Sequence, residues 1–234
     1  MENNKFVKGT PLFKYRALNK GNLKWMKKIL REGKIRATHF EKLNDPMEGI
    51  YLANEKIAGA YDEKKKLRIC SFSKNYDIPL LWAHYADEFK GVVLKLKVVD
   101  RVNDETTDTE VFDFEQLPEY LTEEKQILVE VNYKEKYEDL EPAKPTQMLS
   151  RKLDFWDYEE EVRALRKQNG AEKVTYVDVE IQEVIYLKLY KGNPRTEEKN
   201  EFIDQLKEEF GDKIEFIGKN ISEILMNYEQ RKPR

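Results

Sequence analysis

The sequence predicts an α+β protein, with flanking helices on a mixed, mainly antiparallel sheet. Three observations point there. Segments of helical and strand periodicity intermix without strict βα alternation. Strand-like neighbours at hairpin spacing gather toward the C-terminus. Neither GxGxxG nor GxxxxGK[ST] occurs, which removes the doubly wound dinucleotide fold and the Walker-type NTPases. The 234 residues suffice for one sizeable core, and the chain is read as a single domain, 1–234.

The elements follow in order. Aromatic-rich TPLFKYRAL (10–18) reads as a strand. In GNLKWMKKILREG, Leu23, Met26, Ile29 and Leu30 share a helical face, Asn22 caps the start and Gly33 ends it. KIRAT (34–38) is a short strand. In HFEKLNDPMEGIY (39–51), Pro46 biases Asp45 to extended geometry, so a loop leads into a helix at 50–64. KKLRICSFS (65–73) alternates at period 2 as a strand. DIPLLWAHYADEF (77–89) suits a helix capped by Asp77, with Pro79 in its first turn and Gly91 as its stop.

GVVLKLKVV (91–99) is the clearest strand. Residues 100–126 are acidic and irregular, a surface insertion with a short helix near 115–124. QILVEVNYK (126–134) is a strand, and TQMLSRKLDF (146–155) a helix capped by Thr146. Residues 158–165 fit a strand or a helix equally. Strand-like runs follow at 160–166, 173–179 and 182–190, the last two as a pair turning near Glu180. A helix at 193–211, a strand at 213–218 and a fraying tail at 228–234 complete the chain.

Lys and Arg total 42 against 45 Asp and Glu, so no bulk field argues for nucleic acid. Hydrophobic residues at 40% and aromatics at 12% support a packed interior despite 37% charge. With one cysteine, Cys70, and 2 histidines, intrachain disulfides are impossible and Cys/His zinc sites are not expected. No signal-type apolar region opens the chain, and no run approaches the roughly 18–20 apolar residues of a span. The expectation is a soluble, cytoplasmic protein without membrane contact.

Four clusters carry candidate chemistry. In FKYR, Arg16 beside Tyr15 suits bidentate anion binding, against a solvated sheet-edge arginine. In NDPMEG, Asn44, Asp45 and Glu48 offer oxygen ligands or sugar contacts, against a well-made turn and helix start. Ser71 and Ser73 lie on one side of their strand and suit a ribose or phosphate; Trp82, His84 and Tyr85 follow on a helix, where core roles compete. In KLDFWDYEEEVRAL, Glu159, Glu161 and Arg163 share one side if the segment is extended. If it is helical, Glu159 and Arg163 form an i,i+4 pair.

FKYR, FEKLNDPMEG, ICSFS with LWAHYADEFKGVVL, and KLDFWDYEEEVR occur in that order and spacing. In this the chain resembles, over about residues 11–190, the bacterial family of domain of unknown function 2971, itself similar to the AbiGi abortive-infection group. More remotely it resembles the ADP-ribosyltransferase superfamily. Members carry an Arg on an early strand, a Ser-x-Ser at a strand and a Glu, often in Glu-x-Glu, on a later strand. Arg16, then Ser71 and Ser73, then Glu159 and Glu161 match that order.

The resemblance implies a split sheet and NAD as substrate, with no metal. Arg16 would clamp the pyrophosphate and Ser71 and Ser73 would fix the nicotinamide ribose, with His84 in the same cofactor site. Tyr15, Tyr85 or Trp82 would stack on nicotinamide. Glu161 would hold the 2′-hydroxyl and stabilise the ribosyl cation, and Glu159 would orient or deprotonate the acceptor. Asn44, Asp45, Glu48 and Arg163 are the substrate-binding candidates. The acceptor would be protein or nucleic acid, in phage defence or a toxin–antitoxin system. A non-catalytic, antitoxin-like module with a partner from a neighbouring gene is the alternative, motivated by the charged exterior and acidic segment 100–125. A third reading is metal-dependent nucleic-acid processing, with Asp45, Glu48 and Glu161 on Mg²⁺.

Overall fold

The computed structural model describes residues 5–43, 58–123, 125–136, 144–168, 170, 174–188 and 194–231. Its elements run β1 (Leu12–Arg16), α1 (Leu23–Glu32), β2 (Lys34–Arg36), α2 (Ala58–Lys65), β3 (Leu67–Ser73), α3 (Pro79–Tyr85) and β4 (Val92–Val102). Next come β5 (Glu105–Asp108), β6 (Val111–Phe112), β7 (Gln126–Glu130), β8 (Asn132–Lys134), α4 (Pro145–Met148), β9 (Arg151–Leu153) and β10 (Glu161–Lys167). The last are β11 (Tyr176–Leu187), α5 (Pro194–Phe210), β12 (Glu215–Lys219) and α6 (Ile221–Arg231). Short 3-10 turns lie at Phe40–Lys42, Phe114–Gln116 and Asp154–Glu159. β1 pairs antiparallel with β3 and β4, β4 with β5, and β7 with β10. Parallel pairs join β6 to β7, β8 to β9 and β11 to β12. This is the mixed, mainly antiparallel α+β fold that the sequence predicts.

Two compact units divide the chain. The first comprises Met1–Thr10, Ile35–Phe72 and Val98–Asp178. Its core gathers Phe40, Leu67, Ile69, Leu117, Ile127, Val129, Leu149 and Leu165. Residues 161–165 of β10 are all buried, which makes this an interior strand covered on both faces. Two of those five, Glu161 and Arg163, are charged, so the strand obliges its neighbours to supply partners.

The second unit comprises Pro11–Lys34, Ser73–Lys97 and Val179–Arg234. Here β1 pairs with β4 from Leu12↔Leu96 to Arg16↔Val92, and β11 with β12 from Glu183↔Glu215 to Leu187↔Lys219. Met26 and Leu30 of α1, Leu81 and Trp82 of α3, and Phe202 and Leu206 of α5 are buried in this unit. Gly33 ends α1 at φ 61, in the left-handed region that glycine adopts freely. A Cβ on Gly91 would stand 2.2 Å from the Arg16 carbonyl oxygen, so only glycine fits there.

Several local expectations are corrected. Residues 100–126 are no irregular insertion: β4 runs on to Val102, and Asn103 (φ 50) and Asp104 (φ 65) turn the chain back into β5, with Val102 opposite Glu105. Asn and Asp tolerate left-handed geometry, so this pair makes the two-residue turn that Asn-Gly usually makes. The helix near 115–124 reduces to the 3-10 turn Phe114–Gln116, since Pro118 cannot continue it and Leu117 and Leu121 are drawn into the core.

The helix expected over 146–155 stops after Met148. Ser150 Oγ donates to the Thr146 carbonyl at 2.8 Å, and Thr146 Oγ1 donates to the Pro118 carbonyl rather than capping. Residues 151–153 then pair with β8.

The two strands expected at 173–179 and 182–190 are one, β11, because Val177, Val179 and Ile181 continue the β-branched alternation through the expected turn and no Gly, Pro or Asn interrupts it. The helix predicted to reach residue 89 ends at Tyr85, with Asp87, Glu88 and Phe89 all at positive φ. Asp77 is not its cap; it pairs with Arg231. Asn22 does not cap α1 with its side chain, which accepts from the Asn19 N–H instead. The fraying expected at 228–234 is corrected for Tyr228–Arg231, which form the last turn of α6, fixed by fully buried Ile224 and the Asp77–Arg231 pair. Residues 44–57, including most of the helix expected at 50–64 and the candidates Asn44, Asp45 and Glu48, lie outside the described residues.

Candidate functional site

The open question at 158–165 resolves into both a turn and a strand. The 3-10 turn Asp154–Glu159 ends at Glu160, whose φ of 45 and ψ of 51 are left-handed, and β10 begins at Glu161. Glu161 and Arg163 leave β10 on the same side, as period 2 requires. Arg163, fully buried, grips the Glu161 carboxylate with a fork: Nε donates to Oε1 at 2.8 Å and Nη2 to Oε2 at 3.0 Å. Its Nη1 donates to the Leu149 carbonyl at 2.7 Å.

Lys152 of β9 supplies the second base. Its Nζ lies 2.6 Å from Glu159 Oε2 and 3.2 Å from Glu161 Oε2. Two carboxylates thus meet two cations, and all four side chains are buried. That balance is what makes burial tolerable, since a lone charge here would lose hydration without compensation.

Two hydroxyls complete the cluster. The Ser71 side chain hydrogen-bonds the Glu161 carboxylate. Tyr133, paired with Lys152 in the β8–β9 register, accepts from the Glu161 N–H at 3.0 Å. Ser71 and Tyr133 are half-buried, whereas the four charged side chains are buried.

The titration directions follow from this packing. Burial, foremost, pushes the Glu161 carboxyl up; Glu159 adds to that, and Lys152 and Ser71 oppose it. Burial works against the charge on Lys152, yet Glu161 and Glu159 outweigh it and hold the ammonium above the ordinary lysine range. Burial and then the Glu161 charge push the Tyr133 phenol up, so its hydroxyl stays protonated at neutral pH.

An aromatic group sits against the cations. Lys152 Nζ is 4.7 Å from the Trp156 ring centroid. Phe155 and Tyr158 flank that indole at 5.6 and 6.1 Å, and Phe155 is 59% exposed. The buried Trp156 Nε1 has no hydrogen-bond partner among the described residues.

Of the predicted site residues, then, Ser71, Glu159, Glu161 and Arg163 come together in the first unit. Tyr15, Arg16, Ser73, Trp82, His84 and Tyr85 belong to the second. There Tyr15 is buried: its hydroxyl donates to the Asn75 carbonyl at 3.0 Å and accepts from the Ile78 N–H at 3.3 Å, and its ring meets Trp82 edge-on at 5.7 Å. Trp82 is fully buried, its Nε1 donating to the Tyr76 carbonyl at 2.7 Å. Ser73 is buried and its Oγ accepts from the Asn75 N–H at 3.2 Å. Arg16 is half-buried at the end of β1. His84 is exposed with Tyr85 beside it, ring centroids 6.3 Å apart.

Sequence reasoning missed Lys152, Tyr133 and Trp156. For Lys152 the signal is charge balance, since two acids on a buried segment demand two bases nearby and Lys152 and Arg163 flank them; Tyr133 and Trp156 carry no such signal. Among the described residues no three His, Cys, Asp or Glu side chains form a metal-holding group, and no helix is long and apolar enough to cross a membrane. No curated protein and no solved structure matches the chain. Residues 81–164, a little over a third of the chain, match a family described as protein of unknown function (DUF2971), and that stretch carries Tyr133, Lys152, Glu159, Glu161 and Arg163.

Proposed function

We propose that the first unit is an ADP-ribosyltransferase-like catalytic centre that cleaves NAD and transfers ADP-ribose to a macromolecular acceptor. One observation carries the reading. Ser71 of the Ser-x-Ser strand and both acids of the Glu-x-Glu pair join in one charge-balanced cluster around Lys152. A ribose hydroxyl entering from the Ser71 side exchanges into the hydrogen bond that Ser71 makes. Glu161 then faces the positive charge that develops as the nicotinamide bond breaks. The Arg163 fork holds the carboxylate in place throughout, so no reorganisation is needed at that moment. Glu159, tied to the same lysine, receives the acceptor's proton. Trp156 and exposed Phe155 offer the stacking face for nicotinamide, in place of sealed Trp82. Resemblance to the AbiGi group suggests phage defence or a toxin–antitoxin pair as the setting, with protein, DNA or RNA as acceptor.

The test is labelled NAD with each acceptor class. Glu161→Gln is expected to lower turnover by roughly 10²–10³-fold, while Glu160→Gln, outside the carboxylate pair, leaves it unchanged. Circular dichroism establishes that both variants are folded. If wild type neither consumes NAD nor labels any acceptor, the cluster is a buried structural ion network and the non-catalytic binding module is the correct reading.

A further inference from the structure

The second unit holds a cleft of about 300 Å³ that Lys199 helps to line. Leu18 and Phe202 give it apolar walls, Asn19 and Glu198 an exposed rim, and Asp87 and Lys90 opposite charges on one side. Lys199 is 2% exposed, and its Nζ donates to the Leu187 carbonyl at 3.0 Å. Among the described residues no carboxylate lies within ion-pairing distance of it. Asp87 and Lys90 sit on one loop of unusual backbone. Asp87, Glu88 and Phe89 are consecutive non-glycine residues at φ 50, 52 and 69, locked by the Gly91 N–H donating to the Ala86 carbonyl at 2.6 Å and the Phe89 N–H to the Trp82 carbonyl at 3.1 Å.

We propose that this cleft binds a small anionic aldehyde or keto acid and that Lys199 forms an imine with it. The neutral Nζ adds to the carbonyl carbon, giving a carbinolamine. Its C–O bond then breaks as the oxygen takes up a proton from solvent and leaves as water, and the nitrogen gives up its remaining proton. Amine plus carbonyl compound becomes imine plus water, and no oxidant or reductant enters. Lys90, whose Nζ pairs with Glu88 Oε2 at 3.0 Å, exchanges that carboxylate for the anionic group of the substrate. The amine is suited to the role: burial lowers its pKa to about 8, with the Asp87 charge opposing, so far more of it is neutral at pH 7 than of an exposed lysine. Among the described residues, Lys90, Asp87 and Glu198 are the other charged groups lining the cleft.

Glyoxylate with cyanoborohydride at pH 7 tests this, because reduction fixes the imine as a stable adduct that peptide mass spectrometry locates. Lys199 is expected to label about tenfold or more faster than the exposed lysines Lys20, Lys24 and Lys213 of the same molecules. Lys90→Ala is expected to slow glyoxylate labelling of Lys199 several-fold and leave labelling by uncharged formaldehyde unchanged. Labelling of Lys199 no faster than at the exposed lysines overturns the imine site. Equal slowing of both aldehydes by Lys90→Ala overturns the assignment of an anionic substrate.

Discussion

Lys152 is the residue on which the buried cluster balances. It touches both carboxylates at once. Lys152→Ala leaves Glu159 and Glu161 buried with one cation fewer beside them. Urea unfolding is expected to show a loss of about 3–5 kcal/mol. Placed in a Glu159→Gln background, the same substitution removes one charge of each sign, and its cost is expected to fall by at least about 1 kcal/mol. Equal costs in the two backgrounds would show that Lys152 acts through packing alone. Lys64 presents the opposite case. It is fully buried with its Nζ 3.9 Å from the Phe40 ring centroid and 4.9 Å from that of Tyr61, and burial lowers its pKa to about 8. Aromatic faces reward the cation less than lost water penalises it.

Among the elements, the join between the 3-10 turn and β10 sets the geometry of the site. Glu160 stands at φ 45, where a side chain is disfavoured, and it directs the chain so that Glu159 and Glu161 reach one ammonium. Glu160→Gly is expected to stabilise the protein by up to about 1 kcal/mol, read as a higher denaturation midpoint, with NAD turnover retained. The β4–β5 hairpin gives a matching case. Asp104 at φ 65 occupies a position that glycine favours, and Asp104→Gly is expected to stabilise by about 0.5–1 kcal/mol. These two turns also show what was legible. The period-2 alternation of residues 65–73 and 91–99 is plain in the sequence, because side chains alternate whatever the partner strand. The hairpin at Asn103–Asp104 was hidden by its acidic composition, although the turn chemistry was present.

At the scale of the whole molecule, the buried lysines set a pH signature. Lys64 and Lys199 each bind a proton less readily when folded, with pKa values of about 8 against 10.5. Between those values the unfolded chain holds more protons than the folded one, so stability rises with pH. The expected gain is up to about 3 kcal/mol per lysine across about pH 8–10.5, measured by chemical denaturation. Lys152 has the other sign. Its stabilisation is complete below pH 10.5 and is lost only above that. Lys64→Met should therefore raise stability at pH 7 and remove about half of the alkaline rise. A flat profile in the wild type would show that neither amine loses its proton easily in the fold.

The sequence by itself determined the α+β class, most strands and the helices at 23–32 and 194–210, because periodicity and end signals act locally. The resemblance to ADP-ribosyltransferases grouped Arg16, Ser71, Ser73, Glu159 and Glu161, and of these Ser71 joins the two acids in the first unit. Only the tertiary structure decided that residues 149–160 are turn and strand rather than helix. Ser150 and Thr146 spend their hydroxyls on carbonyls, β8 offers an edge, and buried acids draw Lys152 inward. Only the tertiary structure, too, placed Tyr15 and Trp82 in a core and brought Lys152, Tyr133 and Trp156 to the carboxylates. Burial and charge neutralisation are properties of the packed chain, and no local pattern encodes which base will meet which acid.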